Sequence, residues 1–326
     1  MFTHKDIANR SIFVINCLEK ERNLRLRNGE LLLSEKKDEK EITLTKFPFQ
    51  KILIILVIGP MTITSALIDK CRKYAVALVI LKTNLRPVFT IADAAEGNYL
   101  LRRRQYEFEK EDLSVARVLM KNKISNQLTL LTLTRKRDAK TQEAVRFCKQ
   151  ALSSLDYTVD YNSLMGIEGV VSKMFFSAYF QTLDWHKRYP RMKCDELNVT
   201  LDIGYHLLFN FVECMVRLFG FDVYIGVYHR LWFKRKSLIC DLIEPFRCII
   251  DHTVLLAFNR KQFSKEDFEI VKHEYKLKRE ECAKYYKVFC DSIVANKAEI
   301  FLYIQQYYRC FMGQKDISQY PKYVFR

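Results

Sequence analysis

The segment ICDLIEPFRCIID, residues 239–251, places three acids along one side of an otherwise apolar helix. At about 100° per residue, Asp241, Glu244 and Asp251 fall near roughly 0°, 300° and 280°. Leu242, Ile243, Phe246, Ile249 and Ile250 take the opposite half. Pro245 removes a backbone donor and clashes with the carbonyl four residues back, so the helix must kink or begin beside Glu244. A local rule broken next to an acidic stripe is where function is expected; a solvated helix face is the alternative. A second acid, Glu168 in SLMGIEGVVSKMFF, is the only charge between Asn162 and Lys173 and is flanked by Gly166 and Gly169. A carboxylate among Leu, Met, Ile and Val is costly to bury without a cation or donors, and glycines let a ligand or another backbone come close. Pairing with an arginine, or the exposed edge of a packed helix, would also account for it. His229 follows Gly226 in GFDVYIGVYHR, and a neutral imidazole is a common ligand for catalytic metals. His206 competes for that role, on a stripe with Asp202, Asn210 and Glu213, whereas His4, His186, His252 and His273 read as surface residues. Carboxylates with an imidazole suit Mg²⁺ or Mn²⁺, the hard ions of phosphoryl transfer.

The elements that must position these residues fall into two groups. SIFVINC (11–17), EITLTKF (41–47), KILIILVIG (51–59) and AVALVILK (75–82) read as strands, with a short helix near 65–73. LRLRNGELLL (24–33) sets Asn28-Gly29 between two alternating runs, the strongest short hairpin signal. After Pro87 no proline occurs until Pro190, and the stretch from Asn98 to Leu133 has helical periodicity. Residues 197–220 predict a helix ending at Gly220, Ser264 a helix opened by a capping box with Asp267, and 285–312 a further helix. The expected fold is α+β: a small β-rich domain over 1–90 and a larger all-α domain over 91–326.

With 326 residues and 49% hydrophobic content the chain can bury a sizeable core. The longest apolar run, ILIILVIG, is shorter than the about 20 residues a bilayer span takes, and the N-terminus lacks an apolar signal region; a cytoplasmic protein with no membrane association is expected. Ten cysteines without a C-x-x-C pair give neither a zinc site nor a disulfide framework, so buried reduced thiols are expected. The formal charge of +16 implies a polyanionic partner, nucleic acid foremost. It is clustered at Arg102, Arg103 and Arg104, at 135–137, in KRYPRMK (187–193) and in RLWFKRK (230–236), the last two interleaved with Tyr189, Trp232 and Phe233. That mixture suits phosphates and exposed bases, with solubility as the alternative use of the charge. No G-x-x-x-x-G-K-[ST], H-E-x-x-H or G-x-S-x-G occurs, which removes the usual ATP motor, zinc protease and serine hydrolase.

Taken in order, EGNYLLRRRQY (96–106), LMGIEG (164–169), LNVTLDIGY (197–205), GFDVYIGVYH (220–229) and SLICDLIEPFR (237–247) with Asp251 after it resemble the CRISPR-associated integrase that captures new spacers. That family is also described as a metal-dependent DNA endonuclease. The resemblance runs over nearly the whole chain. It implies that Glu168, His229 and Glu244 bind one Mg²⁺ or Mn²⁺, with Asp241 and Asp251 as auxiliary acids. It further implies joining of 3′-hydroxyl ends of spacer DNA to a CRISPR repeat, a homodimer formed through the β-rich domains, and a small bridging subunit between dimers. Arg102, Arg103, Arg104, Lys234, Arg235, Lys236 and Arg247 are the candidate contacts to double-stranded DNA. Ile243 stands where methionine is frequent, Cys248 replaces a common second proline, and 189–198 follows the family's arginine- and proline-rich segment only loosely. A metal-dependent nuclease that does not integrate, and a non-catalytic basic scaffold, remain as alternatives.

Overall fold

In the computed structural model, residues 4–326 are described except 19, 38–39, 93–94, 96, 109–111, 135–137, 184, 186 and 191; the basic cluster at 135–137 and His186 therefore lie outside the described residues. After a short helix, α1 (His4–Asn9), come β1 (Ser11–Asn16), β2 (Arg22–Arg27), β3 (Glu30–Lys37), β4 (Lys40–Pro48) and β5 (Ile52–Ile58). Helix α2 (Ser65–Tyr74) leads to β6 (Ala77–Leu81) and β7 (Pro87–Ile91). Strands β1, β5 and β6 run parallel, with β7 antiparallel at the edge, and β2, β3 and β4 form a separate antiparallel sheet. The β2–β3 turn is at Asn28 and Gly29, both at positive φ, as expected. Strand β5 is apolar at every position because both faces are covered. Ile55 and Val57 pack toward Leu24 and Leu31 of the small sheet. Ile54, Leu56 and Ile58 belong to the core shared with the helices.

The remainder is mostly helical: α3 (Tyr99–Glu107), α4 (Ser114–Leu133), α5 (Ala139–Ser154), α6 (Tyr161–Tyr179), α7 (Glu196–Arg217), α8 (Ser237–Leu242) and α9 (Arg247–Asn259), then the hairpin β8 (Phe268–Val271) and β9 (Glu274–Leu277), and α10 (Cys282–Ala295) and α11 (Lys297–Gly313). Two expectations are corrected. The Ser264–Asp267 capping box forms, but it opens a single 3₁₀ turn before the β8–β9 hairpin instead of a helix, so this part is not purely α. The helix expected over 285–312 is two, broken at Asn296. Helix α7 is long and apolar enough to cross a membrane by composition alone, yet here it is the mostly buried central helix of the core. The acidic stripe is not solvated: Asp241, Glu244 and Asp251 are all buried. Pro245 breaks the helix as its chemistry requires, leaving α8, a 3₁₀ turn at Glu244–Phe246, and α9.

Candidate active site

Glu168 projects from the middle of α6, on a face where Met165, Gly166, Gly169 and Val170 are exposed. Glu244 stands on the 3₁₀ turn that Pro245 forces between α8 and α9. The two carboxylates reach one point from these separate elements, and at that point lies the ammonium of Lys123 from α4. Its Nζ bonds Glu168 Oε1 and lies 2.8 Å from Glu244 Oε2. Ser172, one turn along α6, donates to Glu168 Oε1 at 3.1 Å. Arg247 Nε is 3.0 Å from Glu244 Oε2, but that oxygen and Arg247 Nε are both buried without an aligned hydrogen-bond partner. Opposite charges meet there at close range.

Burial pushes the Glu244 carboxyl up, but Arg247 and Lys123 outweigh it and lower its pKa to about 2. Glu168 is likewise held below the ordinary carboxylate range, Lys123 overcoming burial and the repulsion of Glu244. Burial opposes the Lys123 charge, yet Glu244 and Glu168 keep its pKa above the usual value.

His229 is fixed by Asp241. Asp241 Oδ2 accepts the backbone N–H groups of Val227 at 2.7 Å and Tyr228 at 3.1 Å, and Oδ1 accepts that of His229 at 2.9 Å. His229 Nδ1 lies 2.6 Å from the same Oδ1. A Cβ at position 226 would stand 2.5 Å from Asp241 Oδ2, so only glycine lets the loop wrap the acid this closely. With Nδ1 engaged, Nε2 is the nitrogen left for a metal or a proton. A cleft of about 360 Å³ lined by Tyr161, Tyr228, His229 and Arg230 opens beside it.

Asp251 faces elsewhere: Tyr205 donates to its Oδ1, and burial raises its pKa to about 7 against the pull of Tyr205 and Arg247. His206 spends Nδ1 on the Asp202 carbonyl, 2.6 Å away. His252 is part-buried against Tyr179 and Phe325, not a surface residue. The structure thus brings Glu168 and Glu244 together and couples His229 to Asp241. Among the described residues, no three His, Cys, Asp or Glu side chains stand together as a metal-holding group. The donor chemistry, two carboxylates converging on one cation and an imidazole with Nε2 available, fits a hard divalent ion.

The candidate basic residues have a range of partners within the chain. Arg102 Nε donates to the Gly220 carbonyl and Arg104 to that of Met312, at 3.2 and 2.6 Å. Arg103 pairs with Glu107 on the surface. Lys236 is clamped by buried Glu213, and Arg247 lies over the Tyr205 ring. Arg235 closes a turn by donating its backbone N–H to the Trp232 carbonyl at 2.9 Å. That turn leaves Trp232 and Phe233 77% and 82% exposed, with Lys234 at φ +60° over the Phe233 ring.

The family model for CRISPR associated protein Cas1 matches residues 16–290. The chain belongs to the Cas1 family. It is 27% identical over 296 residues to "CRISPR-associated endonuclease Cas1 1" of Thermodesulfovibrio yellowstonii, covering 86% of this chain and 92% of the relative. It is also 27% identical to "CRISPR-associated endonuclease Cas1 3" of Thermus thermophilus, covering 85% and 83%. Its fold matches a Cas1 protein from Thermotoga maritima with a TM-score of 0.75 at 19% identity, over 92% of this chain and 97% of that one. A casposase bound to integration product matches with a TM-score of 0.76 at 19% identity, over 96% and 94%. A chain of a Cas6-RT-Cas1–Cas2 complex matches with a TM-score of 0.79 at 19% identity, over 98% of this chain but 36% of that longer one.

What the motif reading of this Cas1 family member missed is α4. Lys123 holds the acid pair, and its neighbours fix the frame: Asn126 Nδ2 donates to the Pro245 carbonyl at 2.9 Å, while Asn122 exchanges two hydrogen bonds with the Tyr323 backbone. The signal was present in KNKISNQ, where Asn122, Lys123, Asn126 and Gln127 give a helix one polar side that is nevertheless buried.

Proposed function

We propose that this chain is a divalent-metal-dependent DNA integrase and endonuclease of CRISPR spacer acquisition, joining 3′-hydroxyl ends of spacer DNA to the CRISPR repeat. One observation carries the reading. Two glutamates from separate elements converge on one cation, and a histidine whose orientation Asp241 fixes acts electrostatically on one of them, Glu244. Glu168, Glu244 and His229 Nε2 would hold Mg²⁺ or Mn²⁺, and a bound ion would stabilise charge on the non-bridging phosphate oxygens. Asp241 holds His229 in the tautomer that keeps the Nε2 lone pair available. The exposed strip of α6 at Gly166 and Gly169, where a Cβ would meet nothing within 4 Å, leaves room for a DNA backbone against Glu168. Trp232, Phe233 and Lys234 supply stacking faces and charge for it. The relatives named as endonucleases, and the casposase bound to integration product, support this reading by family. In the cell the partners would be a second copy, docked through the β-rich part, and Cas2, as in the named Cas1–Cas2 complex.

The test combines Mn²⁺, a short duplex with free 3′-hydroxyls and a supercoiled plasmid carrying a repeat. Joined products are expected from the unaltered chain. Glu168→Gln, His229→Ala and Glu244→Gln should abolish joining and cleavage while DNA binding persists. Fragments without joined products would make it a plain nuclease, a mobility shift without chemistry a scaffold, and normal joining by Glu168→Gln would refute the site.

A further inference from the structure

Two carboxylates drawn together below the protein surface repel each other unless a cation stands between them. In this chain the cation is part of the sequence. Lys123 is 7% exposed, its stem enclosed within α4's buried side, and its ammonium meets both Glu168 and Glu244. Helix α4 is anchored for that role, since Asn126 ties it to the Pro245 carbonyl on the very turn that carries Glu244. Lys123 Nζ forms its hydrogen bond with Glu168, whereas Glu244 Oε2 is left without an aligned partner. The contact to Glu244 is a close pairing of opposite charges at 2.8 Å, a role that a differently placed cation could take over.

We propose that Lys123 is a built-in counter-cation of the acid pair: it holds Glu168 and Glu244 in register when no divalent ion is present, and gives way when one binds. This rests on the reading that these glutamates belong to a metal site. Metal entry then exchanges one cation for another instead of filling a space between two repelling charges. The metal-free site stays assembled, and affinity is set by competition with the lysine.

The experiment measures Mn²⁺ affinity by calorimetry, and the melting temperature with and without Mn²⁺, for the unaltered protein, Lys123→Gln and Lys123→Arg. Lys123→Gln should melt lower without metal, bind Mn²⁺ at least tenfold more tightly, and gain more from Mn²⁺ on melting. Lys123→Arg keeps the cation, so its affinity should equal or fall below that of the unaltered chain. If Lys123→Gln folds only when Mn²⁺ is present, the proposal is upheld. Should it fail to fold under any condition, tighter Mn²⁺ binding by Lys123→Arg overturns the proposal and weaker or equal binding upholds it. Equal or weaker Mn²⁺ binding by folded Lys123→Gln, with the unaltered protein still binding the ion, overturns the lysine's role and leaves the metal site standing. No Mn²⁺ binding by any of the three would bring down the metal reading itself.

Discussion

Gly166 and Gly169 give an opportunity to separate a structural from a functional cause at single residues. Both lie inside α6, exposed, and a Cβ built at either meets no atom within 4 Å. A glycine inside a helix costs about 1 kcal/mol relative to alanine. With no steric opposition, Gly166→Ala and Gly169→Ala should each stabilise the fold by about 0.5–1 kcal/mol, raising the melting temperature of a chain this long by about 1 °C. Gly169 neighbours Glu168, and if a DNA strand lies against α6 there, a new methyl group moves its backbone outward. A displacement of about 1 Å at a reacting phosphate costs on the order of a hundredfold in rate. Gly169→Ala should therefore melt higher, bind Mn²⁺ normally and join DNA ends far more slowly, and Gly169→Leu more slowly still. Paired thermal denaturation and strand-joining assays decide it. Full activity in Gly169→Leu would show that no substrate approaches α6 closely and would refute the placement of DNA; loss of both stability and activity would trace the effect to folding.

Removing Trp232 or Phe233 deletes a fully presented aromatic face without touching the core. Each alanine substitution should weaken binding to DNA with unpaired ends by about 1–3 kcal/mol, read by fluorescence anisotropy, with the melting temperature unchanged. Asp251, with a folded pKa near 7 against an ordinary 3.8, favours the folded state most at low pH. That contribution drains away as pH rises from about 4 to 7. Glu244, lowered to about 2, does the reverse: its contribution is in place above its ordinary 4.5 and is lost as pH falls toward 2. Asp251→Asn should thus gain on the unaltered chain between pH 5 and pH 8 in thermal melts, and a constant difference would contradict the assignment. Among the described residues, strand β4 is paired on one side only and exposes Ile42 and Leu44, an edge that a second copy would cover. Light scattering at micromolar concentration should give a dimer, and Ile42→Lys with Leu44→Lys a monomer.

The sequence made certain features plain because few alternatives compete with them. Asn28-Gly29 supplies two residues that tolerate positive φ, which is why the first hairpin could be placed to the residue. Pro245 cannot continue a helix, so the break beside Glu244 was readable as well. The β8–β9 hairpin was hidden because its turn uses Lys272 and His273, at φ +53° and +63°, residues that give no turn signal, behind a capping box that is real. Burial of the acidic stripe was equally illegible: the same charges in water and the same charges paired with Lys123, Arg247 and Tyr205 have one sequence pattern, and only the partners' positions distinguish them. The carbonyl partners of Arg102 and Arg104 were illegible for a like reason, since the carbonyls of Gly220 and Met312 attract a guanidinium as phosphates do.

The hydrogen bonds between Asn122 and Tyr323 join positions 201 residues apart. During synthesis, α4 emerges from the ribosome long before the irregular segment around Tyr323 that braces it. A nascent chain would therefore carry Lys123, Glu168 and Glu244 while still lacking the bolt that sets the distance between their supports.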